Sequence, residues 1–221
     1  MRVYTFGRGV AEGTGDMLPE LGSKGSGLAD MCQIGVPVPP GFTISTDACR
    51  AFFEADQTFP DVLASEIERG VQHIEAITGK TFGDQADPLL VSVRSGAAIS
   101  MPGMMDTVLN VGLSPSTVES MASEPGRRLF VLDSYRRFIE MFGEIAAGLD
   151  PMRLANVRED VLTLARQRSV QALDDQWLQG LIDAYLKALN DDGVFLPKEP
   201  RLQLRLAIIG VFDSWNTPRA I

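Results

Sequence analysis

Hydrophobic residues in the second half of the chain recur at helical spacing. Steps of three and four residues place such side chains on one face of an amphipathic helix. One stripe consists of Val131, Tyr135, Phe138, Phe142, Ile145 and Leu149, and another of Leu178, Leu181, Ile182, Tyr185 and Leu189. Pro151 and Pro197 mark helix breaks, because proline fits the first turn of a helix but not its interior. Two more helices are predicted near 151–168 and 200–213, so the second half is expected to be helical.

The first half alternates between short strands, helices and glycine-containing turns. Segments 36–45 and 89–94 are apolar or β-branched runs bounded by turn residues, which predicts strands. Helices are predicted around 46–56 and 61–78, the second with Leu63, Ile67, Val71 and Ile74 on one face. The fold class is therefore predicted to be α/β (α+β). We expect an α/β part at 1–113, a helical insert at 114–196, and a return helix and junction at 197–221.

Composition excludes several classes of protein. The chain has 221 residues, 45% of them hydrophobic, with 11 Phe, 3 Tyr and 2 Trp, which excludes wholesale disorder. Its 29 acidic and 20 basic residues give a net charge of -9, so nonspecific binding to nucleic acid or to an anionic membrane is not expected. No apolar run approaches the roughly 18 residues of a membrane span. Because the N-terminus also lacks a signal-peptide core, we expect a soluble, cytoplasmic protein.

Histidine and cysteine usage narrows the chemistry further. His73 is the single histidine, which excludes a multi-histidine metal site, and it falls beside the apolar face of its helix as an ordinary boundary residue would. Cys32 and Cys49 lack the spacing of a metal or redox motif, so we expect free thiols that serve packing.

The segment 21–31 is the first candidate for function. Three glycines surround Lys24, and an apolar helical pattern follows them. Glycines allow backbone N–H groups to approach an anion, and the N-terminus of the following helix adds partial positive charge. The spacing is not that of a Walker A loop. The alternative is a solvated lysine in a flexible turn.

The segment 91–107 is the second candidate. Arg94 lies where an apolar strand ends, and its planar guanidinium suits bidentate contact with phosphate oxygens. The residues that follow are small, hydroxyl-bearing or apolar, and Asp106 is the one charge among them. Such a loop is costly to expose unless it covers something. The alternative makes Arg94 a structural ion pair and the methionines core filler.

The segment 133–140 is the third candidate. Helical spacing places Asp133 and Glu140 within reach of Arg136, so an exposed ion pair within one helix is the simplest interpretation of that residue. Arg137 lies on a different flank and is the better candidate to face a cleft.

Several motifs together resemble the N-terminal region of pyruvate, phosphate dikinases. They occur in the family's order and span nearly all of the chain, at 6–7, 22–25, 37–42, 88–110, 133–138 and 214–220. The long stretch at 88–110 is the most specific. Phosphoenolpyruvate synthases are a weaker match, because an acidic loop of different spacing follows their corresponding strand.

The resemblance implies a fold, a reaction and a set of residues. It implies the N-terminal subdomain of an ATP-grasp domain that binds ATP with Mg²⁺ and passes a phosphoryl group to a histidine on a swivelling domain, which delivers it to pyruvate in a barrel. Lys24 and Arg94 fall on the family's phosphate-binding lysine and arginine, and the 96–105 loop falls on the loop that closes over the phosphates. Such transfer needs positioning and charge neutralisation. The implied nucleotide-phosphate-binding set is Lys24, Arg94, Gly96, Ala97, Ser100, Gly103, Met104, Met105 and Arg137.

The resemblance also implies that essential parts lie elsewhere. The family's metal-holding carboxylates and adenine contacts come after the 214–220 motif, so we expect no metal ligands here. The histidine domain and the barrel are expected to be supplied by the remainder of the dikinase, in cis or in trans, and this chain alone is expected to be inactive on pyruvate. The alternative is a standalone, non-catalytic protein that senses nucleotide or binds a partner.

Overall fold

Residues 3–96 and 106–215 are described by a computed structural model of the chain. They divide into two units, one formed by 3–80 with 95–96 and the other by 81–94 with 106–215. The division predicted at residue 113 was based on the abundance of glycine before it. In the structure, the strands between 91 and 111 belong to the same unit as the helices that come after them.

The first unit contains a three-stranded antiparallel sheet. Its strands are β1 (Val3–Gly7), β2 (Val10–Ala11) and β3 (Gly41–Ile44), in the order β2-β1-β3. Val3 lies opposite Ile44, and Phe6 lies opposite Ala11. The strand predicted within 36–45 is confirmed over its second half, after the prolines that cannot donate to a ladder.

Three helices complete this unit: α1 (Leu18–Gln33), α2 (Thr46–Glu54) and α3 (Asp61–Thr78). The last two confirm the helices predicted from periodicity. The Ser45 hydroxyl caps α2 by accepting a hydrogen bond from Ala48 N, and α3 ends at Gly79 in the left-handed conformation. Helices α1 and α3 pack against the sheet, and α2 packs against α1. The buried side chains of the three helices include Leu21, Ala29, Cys32, Phe52, Leu63, Ile67, Val71 and Ile74.

His73 lies where its position in the sequence predicts, at the boundary of this core. It is half-buried, and its Nε2 is 3.2 Å from the carbonyl oxygen of Phe6. The ring therefore links α3 to β1.

The second unit begins with an antiparallel strand pair and continues as helices. The elements are β4 (Val91–Arg94), β5 (Thr107–Val111), α4 (Pro115–Ala122), α5 (Arg128–Met141), α6 (Pro151–Ala165), α7 (Asp175–Asp191) and α8 (Pro200–Ser214), with a π-helical turn at Phe142–Ala146 and a 3₁₀ turn at Val170–Ala172. Side chains of Ser114, Asp150, Asp174 and Glu199 cap the N-termini of α4, α6, α7 and α8. The strand within 89–94 and the four predicted helices are confirmed, although the stripe that was to run through Leu149 ends in the π-helical turn.

Two contacts fix α8 within this unit. Gln203 is fully buried, and its side chain accepts a hydrogen bond from Gly112 N and donates to the carbonyl oxygens of Leu113 and Pro197, at 2.7 to 2.8 Å. Gly210 faces the π-helical turn so closely that a Cβ there would lie 2.2 Å from the carbonyl oxygen of Ile145. The mixture of helices and strands in both units confirms the α+β class.

Candidate functional site

Lys24 occupies the first turn after a break in α1. Gly22 interrupts the helix with φ 68° and ψ 172°, a region that only glycine enters at low cost. The segment that was predicted as a glycine loop is therefore helical on both sides of this single residue. Gly25 lies within the helix and packs closely on β3, since a Cβ there would be 2.7 Å from Thr43 Cγ2. Gly22 orients Lys24, and Gly25 brings the helix onto the sheet.

The ammonium group of Lys24 reaches the end of the neighbouring segment. Its Nζ donates a hydrogen bond of 3.0 Å to the backbone carbonyl oxygen of Ser95, which is buried. Gly96 also lies against α1, where its Cβ position is 3.7 Å from Lys24 Cβ. The structure thus brings together two residues of the predicted set, Lys24 and Gly96, through a carbonyl group that sequence motifs do not reveal.

Arg94 is the last residue of β4 in the second unit. It lies opposite Thr107 in the strand pair, and its side chain is exposed. Among residues 3–96 and 106–215 its guanidinium has no hydrogen-bond or ion-pair partner. The alternative interpretation of Arg94 as a structural ion pair finds no support in the described residues. An exposed guanidinium without a partner at a strand end is available to bind an anionic ligand.

The remaining loop residues of the predicted set fall outside the described residues. They are Ala97, Ser100, Gly103, Met104 and Met105. Their role as a cover for phosphates stays a prediction.

Arg136 and Arg137 differ in burial although they are neighbours on α5. Arg136 pairs with Asp133 at 2.9 Å and with Glu140 at 2.6 Å, as helical spacing predicts, but its side chain is only 8% exposed. The expected exposure of this pair is therefore wrong, because α5 turns that flank toward the helices around it. Arg137 is 49% exposed and bonds Asp133 through Nε and Nη2. Its predicted role at a nucleotide remains open.

Glu140 is the centre of a polar network in the second unit. Its carboxylate accepts hydrogen bonds from Arg136, Arg158 and the Tyr185 hydroxyl, the last at 3.2 Å. Burial, reinforced by the Glu140 charge, raises the pKa of Tyr185 to about 12, so this hydroxyl stays a donor at neutral pH. An open cavity of about 330 Å³ adjoins the network. Arg136, Arg158 and Arg168 line it, and the first two are bonded to Glu140, whereas Arg168 has no partner in the described residues.

Metal binding and membrane insertion find no support in the part of the chain that the structure describes. There, no three histidine, cysteine, aspartate or glutamate side chains are grouped so that they could hold a metal ion. None of the helices in the same residues combines the length and the apolar character of a membrane span.

Comparison with known proteins gives a consistent match over the whole chain. The family profile described as "Pyruvate phosphate dikinase, AMP/ATP-binding domain" matches residues 18–63 and 55–221. The chain is 45% identical to "Pyruvate, phosphate dikinase" of Rhizobium meliloti (strain 1021) over an aligned length of 221, which covers 99% of the chain and 24% of that relative. It is 44% identical over 220 residues to "Pyruvate, phosphate dikinase 1, chloroplastic" of Arabidopsis thaliana, again over 99% of the chain and 23% of the relative. The chain thus spans about a quarter of the length of the relatives that it matches.

Proposed function

Since the chain belongs to the pyruvate phosphate dikinase AMP/ATP-binding domain family, we propose that it is the part of such a dikinase that holds the phosphates of ATP. The fold proposed for it is the N-terminal subdomain of an ATP-grasp domain with a helical insert. The reaction it serves is the conversion of ATP, phosphate and pyruvate to AMP, diphosphate and phosphoenolpyruvate. Its contribution is to bind and orient the nucleotide for phosphoryl transfer to a histidine outside this chain.

The observation that carries the proposal is that Arg94 is exposed at the end of β4 and has no partner in the described residues. An arginine that is held at a strand end and has no partner in the described residues can give its full hydrogen-bonding capacity to a ligand. It lies within the 88–110 stretch on which the family resemblance is strongest. The family resemblance adds Lys24 as a second cation and Arg137, which is already bonded to Asp133, as a third. Positioned cations of this kind stabilise the charge that spreads over the phosphoryl oxygens during transfer.

Magnesium is expected to arrive with the nucleotide. The family resemblance places its protein ligands in the part of the dikinase that follows the 214–220 motif. When bound, the metal ion would neutralise phosphate charge alongside Lys24 and Arg94. The remaining partners are the histidine-carrying domain and the barrel, and the purified chain should form no phosphoenolpyruvate from ATP, phosphate and pyruvate.

Calorimetric titration with ATP and Mg²⁺ tests the proposal. Arg94→Ala should weaken binding by about 1.5–3 kcal/mol, the usual contribution of a charge-assisted hydrogen bond. Arg168→Ala is the matched control, because Arg168 is also an exposed arginine of the second unit without a partner in the described residues. Equal losses in both variants would indicate a general charge effect and contradict the proposed site. A wild-type chain that shows no saturable binding would contradict the proposal that this region holds the phosphates of ATP.

A further inference from the structure

The strand pair that ends in Arg94 contains a β-bulge. Val93 lies opposite Val108 and Val91 lies opposite Val111, so two steps along β4 match three steps along β5. The extra residue bends the strand and increases its twist. Asn110 lies at this point with φ 59°, in the left-handed region.

Asparagine supplies two properties at position 110 that few residues combine. It tolerates the left-handed conformation, which most other side chains disfavour. Its Nδ2 also donates a hydrogen bond of 3.2 Å to the backbone carbonyl oxygen of Ser134 in α5. Glycine would adopt the left-handed conformation easily but could not make this hydrogen bond. Alanine could not make the bond and would also disfavour the conformation.

The Asn110 amide connects β5, which pairs with the strand of Arg94, to α5, which carries Arg137. On one side of it, β5 pairs with β4, whose last residue is Arg94. On the other side, Ser134 lies three residues before Arg137 in α5. One half-buried side chain therefore joins the strand pair, at its bulge, to the helix.

We infer that Asn110 is a positioning residue that holds Arg94 in its place relative to α5 for nucleotide binding. It touches neither nucleotide nor the reacting atoms, and it acts through the strand that presents Arg94. This inference rests on the function proposed above, and it identifies a residue that contributes to the geometry of the site without contributing charge.

The first test needs no nucleotide. In the NMR spectrum of the purified chain, Asn110→Gly should shift or broaden the Nε–Hε signal of Arg94, because the strand pair loses its side-chain hydrogen bond to α5. Arg166→Gly is the matched control, since Arg166 also has a left-handed backbone (φ 54°) and lies at the end of α6. Asn110→Gly should leave the dispersion of the spectrum unchanged. An Arg94 signal at its wild-type position and width would overturn the inference.

A double-mutant cycle with ATP and Mg²⁺ gives the second test. Asn110→Gly should weaken binding at least about threefold, and most of that loss should vanish in the Arg94→Ala background, as expected for coupled residues. In the Lys24→Ala background the threefold loss should persist, because Lys24 belongs to the other unit. The same loss with and without Arg94 would overturn the inference and leave the proposed function intact. Unchanged binding by Arg94→Ala would instead contradict the proposed function, and the NMR result would then decide on Asn110 by itself.

Discussion

Lys24 Nζ and the carbonyl oxygen of Ser95 are joined by a hydrogen bond of 3.0 Å across 71 residues of sequence. Ser95 directly follows Arg94 in the chain. The lysine therefore ties α1 to the segment 95–96 within the first unit. A residue selected on sequence for its charge also has a structural bond, so its substitution should alter both stability and binding.

Removal of the Lys24 ammonium group should be measurable in the absence of nucleotide. Lys24→Met keeps much of the aliphatic stem and removes the donor, so we expect the free energy of unfolding to fall by about 1 kcal/mol. Lys187→Met is the comparison, because Lys187 is 76% exposed and pairs with Asp191 one turn away. That change should stay within about 0.5 kcal/mol. Urea denaturation of both variants measures the difference, and equal losses would show that the Ser95 bond contributes nothing.

Two glycines of α1 should respond to alanine with opposite signs. Gly22 has φ 68° and ψ 172°, so Gly22→Ala should destabilise the chain by about 1–3 kcal/mol through backbone strain. Gly27 lies in the helical part with no atom within 4 Å of a Cβ, so Gly27→Ala should stabilise it by about 0.5–1 kcal/mol. Thermal unfolding of the two variants gives the comparison. A stabilised Gly22→Ala would contradict the break in the helix.

The two neighbouring arginines of α5 should separate stability from binding. Arg136→Ala removes a buried guanidinium and leaves Asp133 and Glu140 with one partner fewer, which should cost about 3 kcal/mol of unfolding free energy. Arg137→Ala removes a half-exposed side chain and should cost less than about 1 kcal/mol.

Nucleotide binding completes this comparison. If Arg137 contacts the nucleotide, its variant should lose affinity for ATP while it keeps its stability. Denaturation and calorimetry on the same preparations test both statements. An Arg137→Ala chain with wild-type affinity would remove this residue from the proposed site.

Glu144 should make the free energy of unfolding depend on pH, with a sign that follows from its raised pKa. Burial first, and then the charges of Glu140 and Asp106, raise the pKa of this carboxyl above 4.5, while Arg158 opposes the shift. The folded state then binds the proton more tightly than the unfolded state, so stability from this group is present below about pH 4.5 and is lost as the pH rises through the folded pKa.

The Glu144→Gln variant isolates that contribution. Between about pH 4 and pH 7 the wild type should lose unfolding free energy relative to the variant, and at neutral pH the variant should be the more stable protein. Chemical denaturation at several pH values measures the difference. A difference that does not change with pH, or that grows in favour of the wild type, would contradict the raised pKa.

Local periodicity was enough to predict most of the helices, because each amphipathic stripe depends on residues three or four apart. It could not reveal the start of α1, since a glycine that breaks a helix and a glycine in a loop look the same in sequence. Nor could it show that Arg136 is buried, because helical spacing gives its partners without telling which flank faces the core.

Only those parts of the candidate site that have a local sequence pattern could be predicted. Lys24 and Arg94 stand out through their glycine-rich or small neighbours. Asn110 gives only a weak signal, an asparagine within a strand pattern, and its bond to Ser134 depends on folding. The acceptor on Ser95 gives no signal, because every residue has a carbonyl group.

Gly210 sets a limit on how the second unit can vary. Glycine within a helix gives up about 1 kcal/mol of helical propensity relative to alanine. Here the loss allows α8 to touch the backbone of the π-helical turn, where a methyl group would lie 2.2 Å from an oxygen atom. The π-helical turn and the glycine that faces it therefore depend on each other. In a library of all substitutions at position 210, selection for folding should recover glycine. Another residue should be accepted only if the π-helical turn changes to an α-helical one. The residues recovered at 210 would therefore report the conformation of that turn.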